Sequence, residues 1–230
     1  VAGVLAPAPE SMGAPFAARP GKVVFDVGNV LVDWNPRALF ARHVTDSAHL
    51  DRLMGEVLTL EWHTQHDAGR DFAETSAELI ALYPDEAEHI RRWGAEFDAT
   101  IGDLLPGMAA LVADLDAAGV PLYAITNFSH EFWPPFRARE SALFDRFRDV
   151  VVSGEVKLIK PDPAIYALAL ARFGLAPGEA LFVDDRAENV EAAERAGFIG
   201  HRFHDAVTLR DEMERLGLLP LSREKEGTRA

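Results

Sequence analysis

Four short stretches of this 230-residue chain end an apolar run on side chains that could do chemistry. "VVFDVGN" delivers Asp26, "YAITN" delivers Thr126 and Asn127, "VSGEVKLIK" leads to Lys160, and "LFVDD" ends on Asp184 and Asp185. Together they offer a carboxylate nucleophile, hydroxyl and amide donors, a cation and an acidic pair. A lone carboxylate inside a strand is costly to bury, so Asp26 is expected at the strand's end, facing a group that compensates it. Two adjacent carboxylates repel unless a cation sits nearby, so Asp184 and Asp185 point to a cation. Each group taken alone has a plainer reading. Asp26 could cap a turn or helix, Thr126 and Asn127 could be turn residues, and Lys160 could be a solvated surface charge. The set is more specific than any member, because each follows a strand.

The elements that must position these groups follow from the pattern. Lys22 to Val27 is an unbroken apolar strand, as in a parallel sheet buried on both faces. Asn35-Pro36 reads as an N-cap and a first helical residue. From there to about Asp103 the pattern is helical, with no convincing strand. Phe72, Leu79, Ile80 and Tyr83 share one helical face, and Ile90, Trp93 and Phe97 another. After Leu105-Pro106-Gly107, strands and helices alternate. Met108, Leu111, Val112 and Leu115 form a helix stripe that Gly119 stops. "VPLYAITN" and "DVVVSGEV" are strands; Phe132–Arg139 is a helical stretch. Asp162-Pro163 opens a helix that Gly174 closes, and Gly197 closes the helix after "LFVDD". "FIGHRF" and Val207–Leu216 are a last strand and helix. This alternation predicts an α/β fold, a Rossmann-like parallel sheet core with an inserted helical cap. The expected divisions are a flexible leader over 1–20, a core over 21–35 and 104–218, a helical cap over 36–103 and a flexible tail over 219–230. In open parallel sheets ligands bind beyond the carboxyl ends of the strands, where the four groups would meet.

The bulk numbers narrow the function. A net charge of −14, with only four lysines and no basic tract, argues against nucleic acid and anionic membranes as partners. The chain has no cysteine, which excludes disulfides, thiolate metal sites and cysteine nucleophiles, and fits a cytoplasmic protein. No stretch approaches the roughly 20 apolar residues of a membrane span. The Ala- and Pro-rich start lacks the pattern of a secretory signal, and Met12 is a candidate natural start.

"VFDVGNVL", "ITN", "VSGEVKLIKPDPAIY" and "LFVDDRAENVEAA" resemble, in this order, the motifs of the haloacid dehalogenase-like (HAD) superfamily of hydrolases. The resemblance spans about residues 22–205, with the helical stretch where that family carries its cap. It implies Mg²⁺-dependent hydrolysis of a small phosphorylated metabolite through an aspartyl-phosphate. The expected assembly is a monomer or a homodimer. Asp26 would be the nucleophile. Thr126, with Asn127 beside it, would hold the phosphoryl oxygens, and Lys160 would neutralise nucleophile and phosphate. Asp26, the Gly28 carbonyl, Asp184 and Asp185 would form the metal site, with Asn189 supporting them. Carboxylate, carbonyl and water suit Mg²⁺.

Gly28 departs from that pattern. Most phosphatases of the superfamily carry there a second Asp that protonates the leaving group and then activates water, a contribution of about 10²–10⁴-fold. Three readings follow. The chain is a phosphatase whose acid is dispensable or comes from water or the cap, as in the subgroup of sugar-phosphate phosphatases with Asp-x-Gly-Asn, which includes α-glucose-1-phosphate phosphatases. Alternatively it is a metal-independent 2-haloacid dehalogenase, though those carry Tyr-Gly-Thr after the nucleophile and lack the acidic pair. Or it is a catalytically impaired binding protein. His66 and Asp67, in the cap break "HTQHDAGR", are candidates to reach the substrate. The plainer reading makes His63 and His66 polar surface, Asp33 a turn residue, and Trp62, Trp93 and Trp133 packing residues.

Overall fold

The computed structural model describes residues 19–221. The residue 1–18 part of the expected leader and the tail beyond Leu221 lie outside the described residues. β1 (Lys22–Phe25) and β2 (Val32–Trp34) come first. Five helices follow: α1 (Pro36–Phe40), α2 (Ser47–Arg52), α3 (Leu60–Asp67), α4 (Phe72–Leu82) and α5 (Ala87–Ala95). β3 (Ile101–Leu104) and α6 (Met108–Ala117) lead to β4 (Leu122–Thr126). Then come α7 (Trp133–Arg139), α8 (Ser141–Phe144), β5 (Phe147–Val152), α9 (Ser153–Val156) and α10 (Pro163–Phe173). β6 (Ala180–Asp184), α11 (Ala187–Ala196), β7 (Ile199–Arg202) and α12 (Ala206–Leu216) complete the fold.

β5-β4-β1-β6-β7 form one parallel sheet, with β1 at its centre. Its Val-Val-Phe run is buried on both faces. Val23 and Phe25 pack into the larger core, which extends to the α6 and α12 side. Val24 joins Ile125, Tyr166 and Phe182 beneath α10 and α11. Covering both faces is what makes a parallel strand continuously apolar. The helix signals in the sequence work locally. Asn35 Oδ1 accepts from the Ala38 N–H at 3.0 Å, with Pro36 opening α1. Asp162 Oδ1 accepts from Ala164 N–H at 2.8 Å, and Gly174 ends α10 in the left-handed region.

Four sequence expectations need correction. The strand expected over "DVVVSGEV" stops at Val152, and Ser153–Val156 form α9, so Lys160 follows a helix and a loop and not a strand tip. The stretch after the first strand is not wholly helical, because β2 and β3 pair antiparallel in a two-stranded sheet at the root of the helical insertion. β1 ends at Phe25, because Val27 opens a turn: the Val27 carbonyl accepts from the Leu31 N–H at 2.8 Å and the Val32 N–H at 3.1 Å. Leu219, assigned to the tail, is buried in the core, so the folded chain runs past residue 218.

Two close approaches tie the insertion to the core. Gly69, just beyond α3, has φ +91°, and a Cβ there would lie 2.8 Å from the Gly154 carbonyl oxygen. Only glycine serves both needs. Three residues on, the Phe72 N–H donates to Glu131 Oε2 at 2.6 Å.

Candidate active site

Because β1 lies between β4 and β6, the tips of three strands meet in one crevice. Asp26 stands one residue beyond β1. Its N–H donates to the Val183 carbonyl at 2.8 Å, and its Oδ1 accepts from the Val27 N–H at 2.6 Å. Lys160 is 3% exposed and reaches across from the loop after α9. Its Nζ lies 2.8 Å from Asp26 Oδ1 and 2.7 Å from Asp184 Oδ2. One ammonium thus serves two buried carboxylates. Burial raises the Asp26 pKa, with the Asp184 charge adding to the rise and Lys160 pulling against it. Burial alone would lower Lys160, but Asp184 and Asp26 together hold it above its ordinary value.

Asp184 is fully buried and held by donors on both oxygens. Besides Lys160, Oδ1 accepts from the Arg186 N–H at 2.9 Å, and Asn189 Nδ2 lies 3.0 and 3.1 Å from the two oxygens. Asn189 therefore orients Asp184, and the Tyr166 hydroxyl in turn donates to the Asn189 carbonyl at 3.0 Å. Asp185 is half-buried, and burial followed by the Asp184 charge raises its pKa. Asp26, Asp184 and Asp185 each offer an oxygen within 4.8 Å of the others. Three carboxylates against one ammonium leave a negative site built of hard oxygen donors. That is the donor set Mg²⁺ takes.

The turn after Asp26 answers why residue 28 is glycine only in part. The left-handed residue is Asn29 (φ +57°), not Gly28. Asn29 Oδ1 accepts from the Trp34 N–H at 3.1 Å, which suits asparagine to that conformation. A Cβ at Gly28 would meet only the Trp34 Cβ, at an ordinary 3.8 Å. Neither backbone nor space requires glycine there.

A cavity of about 150 Å³ opens between this crevice and the insertion. Asp26, Gly28, Asn127, Lys160, Asp185 and Asn189 line its core side. Thr126 and Asp184 are buried at the strand tips but do not line it. Asn127 has a task the sequence did not suggest. Its Nδ2 donates to the Lys160 carbonyl at 3.0 Å, and its Oδ1 accepts from the Lys160 N–H at 2.8 Å. This pair pins the backbone that carries the lysine.

On the other side, Leu60, His63, Thr64 and Asp67 of α3 line the cavity. Their i, i+3, i+4, i+7 spacing marks one helical face, a signal present in the sequence but hidden by its polar composition. His63 and His66 are buried, not polar surface. His66 does not line the cavity; its Nε2 is 2.6 Å from Thr75 Oγ1, inside the insertion. Asp67 does line it. Asp33 is exposed on β2 rather than in a turn, and away from the cavity. Trp62, Trp93 and Trp133 are buried packing residues, as expected. The sequence reading missed Trp34, Phe97, Ile101 and Phe128, which give the cavity its apolar wall.

Burial, and next the His66 charge, lower His63 to about 3, so it is neutral here. Its ring stacks on Trp34 and Phe97 at 5.2 and 5.7 Å. Between its ordinary value near 6.5 and about 3, the unfolded chain takes up the proton and the folded chain does not. This contribution to stability is complete above pH ~6.5 and falls on acidification, by up to about 1.4 kcal/mol per pH unit. His63→Phe keeps the stacking and removes the titration. Urea unfolding from about pH 6 to 5 will show a shallower loss in that variant than in the wild type; equal slopes would contradict the assignment.

Residues 23–197 match the haloacid dehalogenase-like hydrolase family. The chain belongs to that family. It is a hydrolase built on the HAD-like α/β fold. It is 28% identical over 204 residues to the sesquiterpene phosphatase AstK of Aspergillus oryzae, covering 84% of this chain and 94% of that one. It is 30% identical over 185 residues to the phosphoglycolate phosphatase of Yersinia pseudotuberculosis, covering 76% and 77%. A HAD family enzyme of Bacteroides thetaiotaomicron, crystallised with magnesium and inorganic phosphate, superposes with a TM-score of 0.62 at 17% identity, covering 80% and 94%. That last likeness concerns the fold alone. Among the described residues no helix is long and apolar enough to cross a membrane.

Proposed function

We propose that the chain is a Mg²⁺-dependent phosphatase that hydrolyses a small-molecule phosphomonoester through an aspartyl-phosphate on Asp26. The observation that carries this reading is the Lys160 ammonium set between Asp26 and Asp184, with Asp185 completing a three-carboxylate cluster. An Asp26 oxygen attacks phosphorus, and the bond from phosphorus to the alcohol oxygen breaks. Water then attacks phosphorus, and the bond to Asp26 breaks to release inorganic phosphate. Lys160 holds the nucleophile and offsets charge on the transferring group, and Asn127 holds Lys160. Asp184, fixed by Asn189, and Asp185 would hold the ion together with Asp26 and the Gly28 carbonyl. When bound, Mg²⁺ supplies charge neutralisation for the phosphoryl group, the main requirement of this chemistry. Thr126, at the tip of β4, is assigned to the phosphoryl oxygens by family resemblance only.

The phosphatase names of the relatives support this reading over dehalogenation. So does the acidic cluster, for which a metal-independent dehalogenase has no use. The alcohol side of the cavity sets an apolar wall of Val32, Trp34, Phe97, Ile101 and Phe128 against the polar Thr64 and Asp67, which suits an alcohol with an apolar face and a polar one. We read the helical insertion as the cap that sets this choice. The test is release of nitrophenolate from p-nitrophenyl phosphate with Mg²⁺ and with EDTA. Release is expected with Mg²⁺ and its loss in EDTA. Halide release from 2-chloropropionate, with no phosphate release in either condition, would overturn the proposal.

A further inference from the structure

Gly28 leaves the leaving group without a proton donor at the place where most of the superfamily carries one. Of the three carboxyl groups that line the cavity, Asp26, Asp67 and Asp185, only Asp67 stands outside the carboxylate cluster proposed to hold the metal. Asp67 is the last residue of α3, is 7% exposed and lines the cavity opposite Asp26 and Gly28. Its Oδ1 is buried with no hydrogen-bond partner. His63 Nε2 lies 3.6 Å from it, beyond hydrogen-bond reach. A buried, unsatisfied carboxyl is expensive, and a ligand oxygen in the cavity would satisfy it.

Asp67 is also held in place. Gly69, two residues on, sits against the Gly154 backbone, and the Phe72 N–H is tied to Glu131. The insertion is thus anchored to the core at the position where Asp67 enters the cavity.

We propose that Asp67 is the catalytic acid and base of this enzyme, supplied by the insertion in place of the missing residue at Gly28. It rests on the phosphatase reading above. As an Asp26 oxygen bonds to phosphorus and the bond to the alcohol oxygen breaks, the Asp67 proton passes to that oxygen. Asp67, now a carboxylate, takes a proton from the water that attacks phosphorus. The bond from phosphorus to Asp26 breaks, and Asp26 and protonated Asp67 are restored. Burial first, and the Asp26 charge in addition, push the Asp67 carboxyl up to about 8 against the pull of Lys160, which is consistent with a group that starts the cycle protonated.

The test is the dependence of kcat/KM on leaving-group pKa across substituted phenyl phosphates, in the wild type and in Asp67→Asn. Asparagine keeps the shape and relieves a buried carboxyl, so the variant will fold. The wild type will show a shallow dependence. Asp67→Asn will show a steep one, its loss smallest on p-nitrophenyl phosphate and growing to about 10²–10⁴-fold on the poorest leaving groups. It will also show a burst of about one nitrophenolate per site, because hydrolysis of the aspartyl-phosphate slows. Adding Gly28→Asp, whose Cβ has room and whose backbone position lines the cavity, will flatten the dependence again. A steep dependence in the wild type, or equal dependences in the two proteins, would overturn the Asp67 assignment and leave the phosphatase reading intact. No Mg²⁺-dependent nitrophenolate release from the wild type would sink both.

Discussion

Asp26→Asn will lower kcat on p-nitrophenyl phosphate by about 10⁴-fold or more, the scale of loss when a nucleophile is removed. Its effect on stability will be the reverse. In EDTA, Asp26 is one of three clustered carboxylates served by one ammonium, and its pKa is raised by burial. A raised carboxyl pKa means that the folded state disfavours its charged form, so near neutral pH the charge lowers stability. The amide removes that charge and leaves Lys160 paired with Asp184 at 2.7 Å. The variant's unfolding midpoint in EDTA will therefore equal or exceed that of the wild type. An inactive variant with a markedly lower midpoint would show that Asp26 is needed for folding, and the kinetic loss could not then be assigned to chemistry.

Lys160→Met will fail in both respects. The methionine keeps an apolar stem in a site where the lysine Nζ lies 5.7 Å from the Phe182 ring centre, but it deletes the cluster's only ammonium. Asp184, fully buried, keeps only its bonds to Asn189 and the Arg186 N–H. Breaking a buried pair from one side costs about 3–5 kcal/mol, and urea unfolding in EDTA will read a loss on that scale. Turnover will be lost as well. Asp26→Asn in the Lys160→Met background will recover part of the stability, because one of the stranded charges is gone. A loss below about 1 kcal/mol would mean that the pair does not act as a buried one.

These opposite signs come from features that were unequally legible in the sequence. The strand tips were readable because a parallel sheet buried on both faces writes its strands as apolar runs, and each run ends where the polar group stands. Asp26, Lys160, Asp184, Asp185 and Asn189 were found in this way or through the family resemblance that their spacing carries. β2 and β3 were not legible. They are three and four residues long, of mixed composition, and they pair across the whole helical insertion. The polar face of α3 was misread for a different reason. His63, His66 and Asp67 look like surface, yet all three are buried, the two histidines under rings from residues far apart in the chain: Trp34, Trp93 and Phe97 on His63, and Trp62, Phe72 and Phe132 on His66. The role of Asn127 was hidden because its partner is a backbone segment 33 residues away. Gly28 was legible as a departure from the family pattern. That it is not required by the backbone, and that the left-handed residue is Asn29, emerged only from the turn itself.

The central claim is that Asp26 carries the phosphoryl group. Its most direct test is an acid quench during turnover of p-nitrophenyl phosphate with Mg²⁺, followed by peptide mass spectrometry. The account predicts one phosphoryl group on the peptide containing Asp26, removed by hydroxylamine as an acyl phosphate is, and absent from Asp26→Asn. Turnover with the phosphoryl group on another residue, or undiminished turnover by Asp26→Asn, would contradict it.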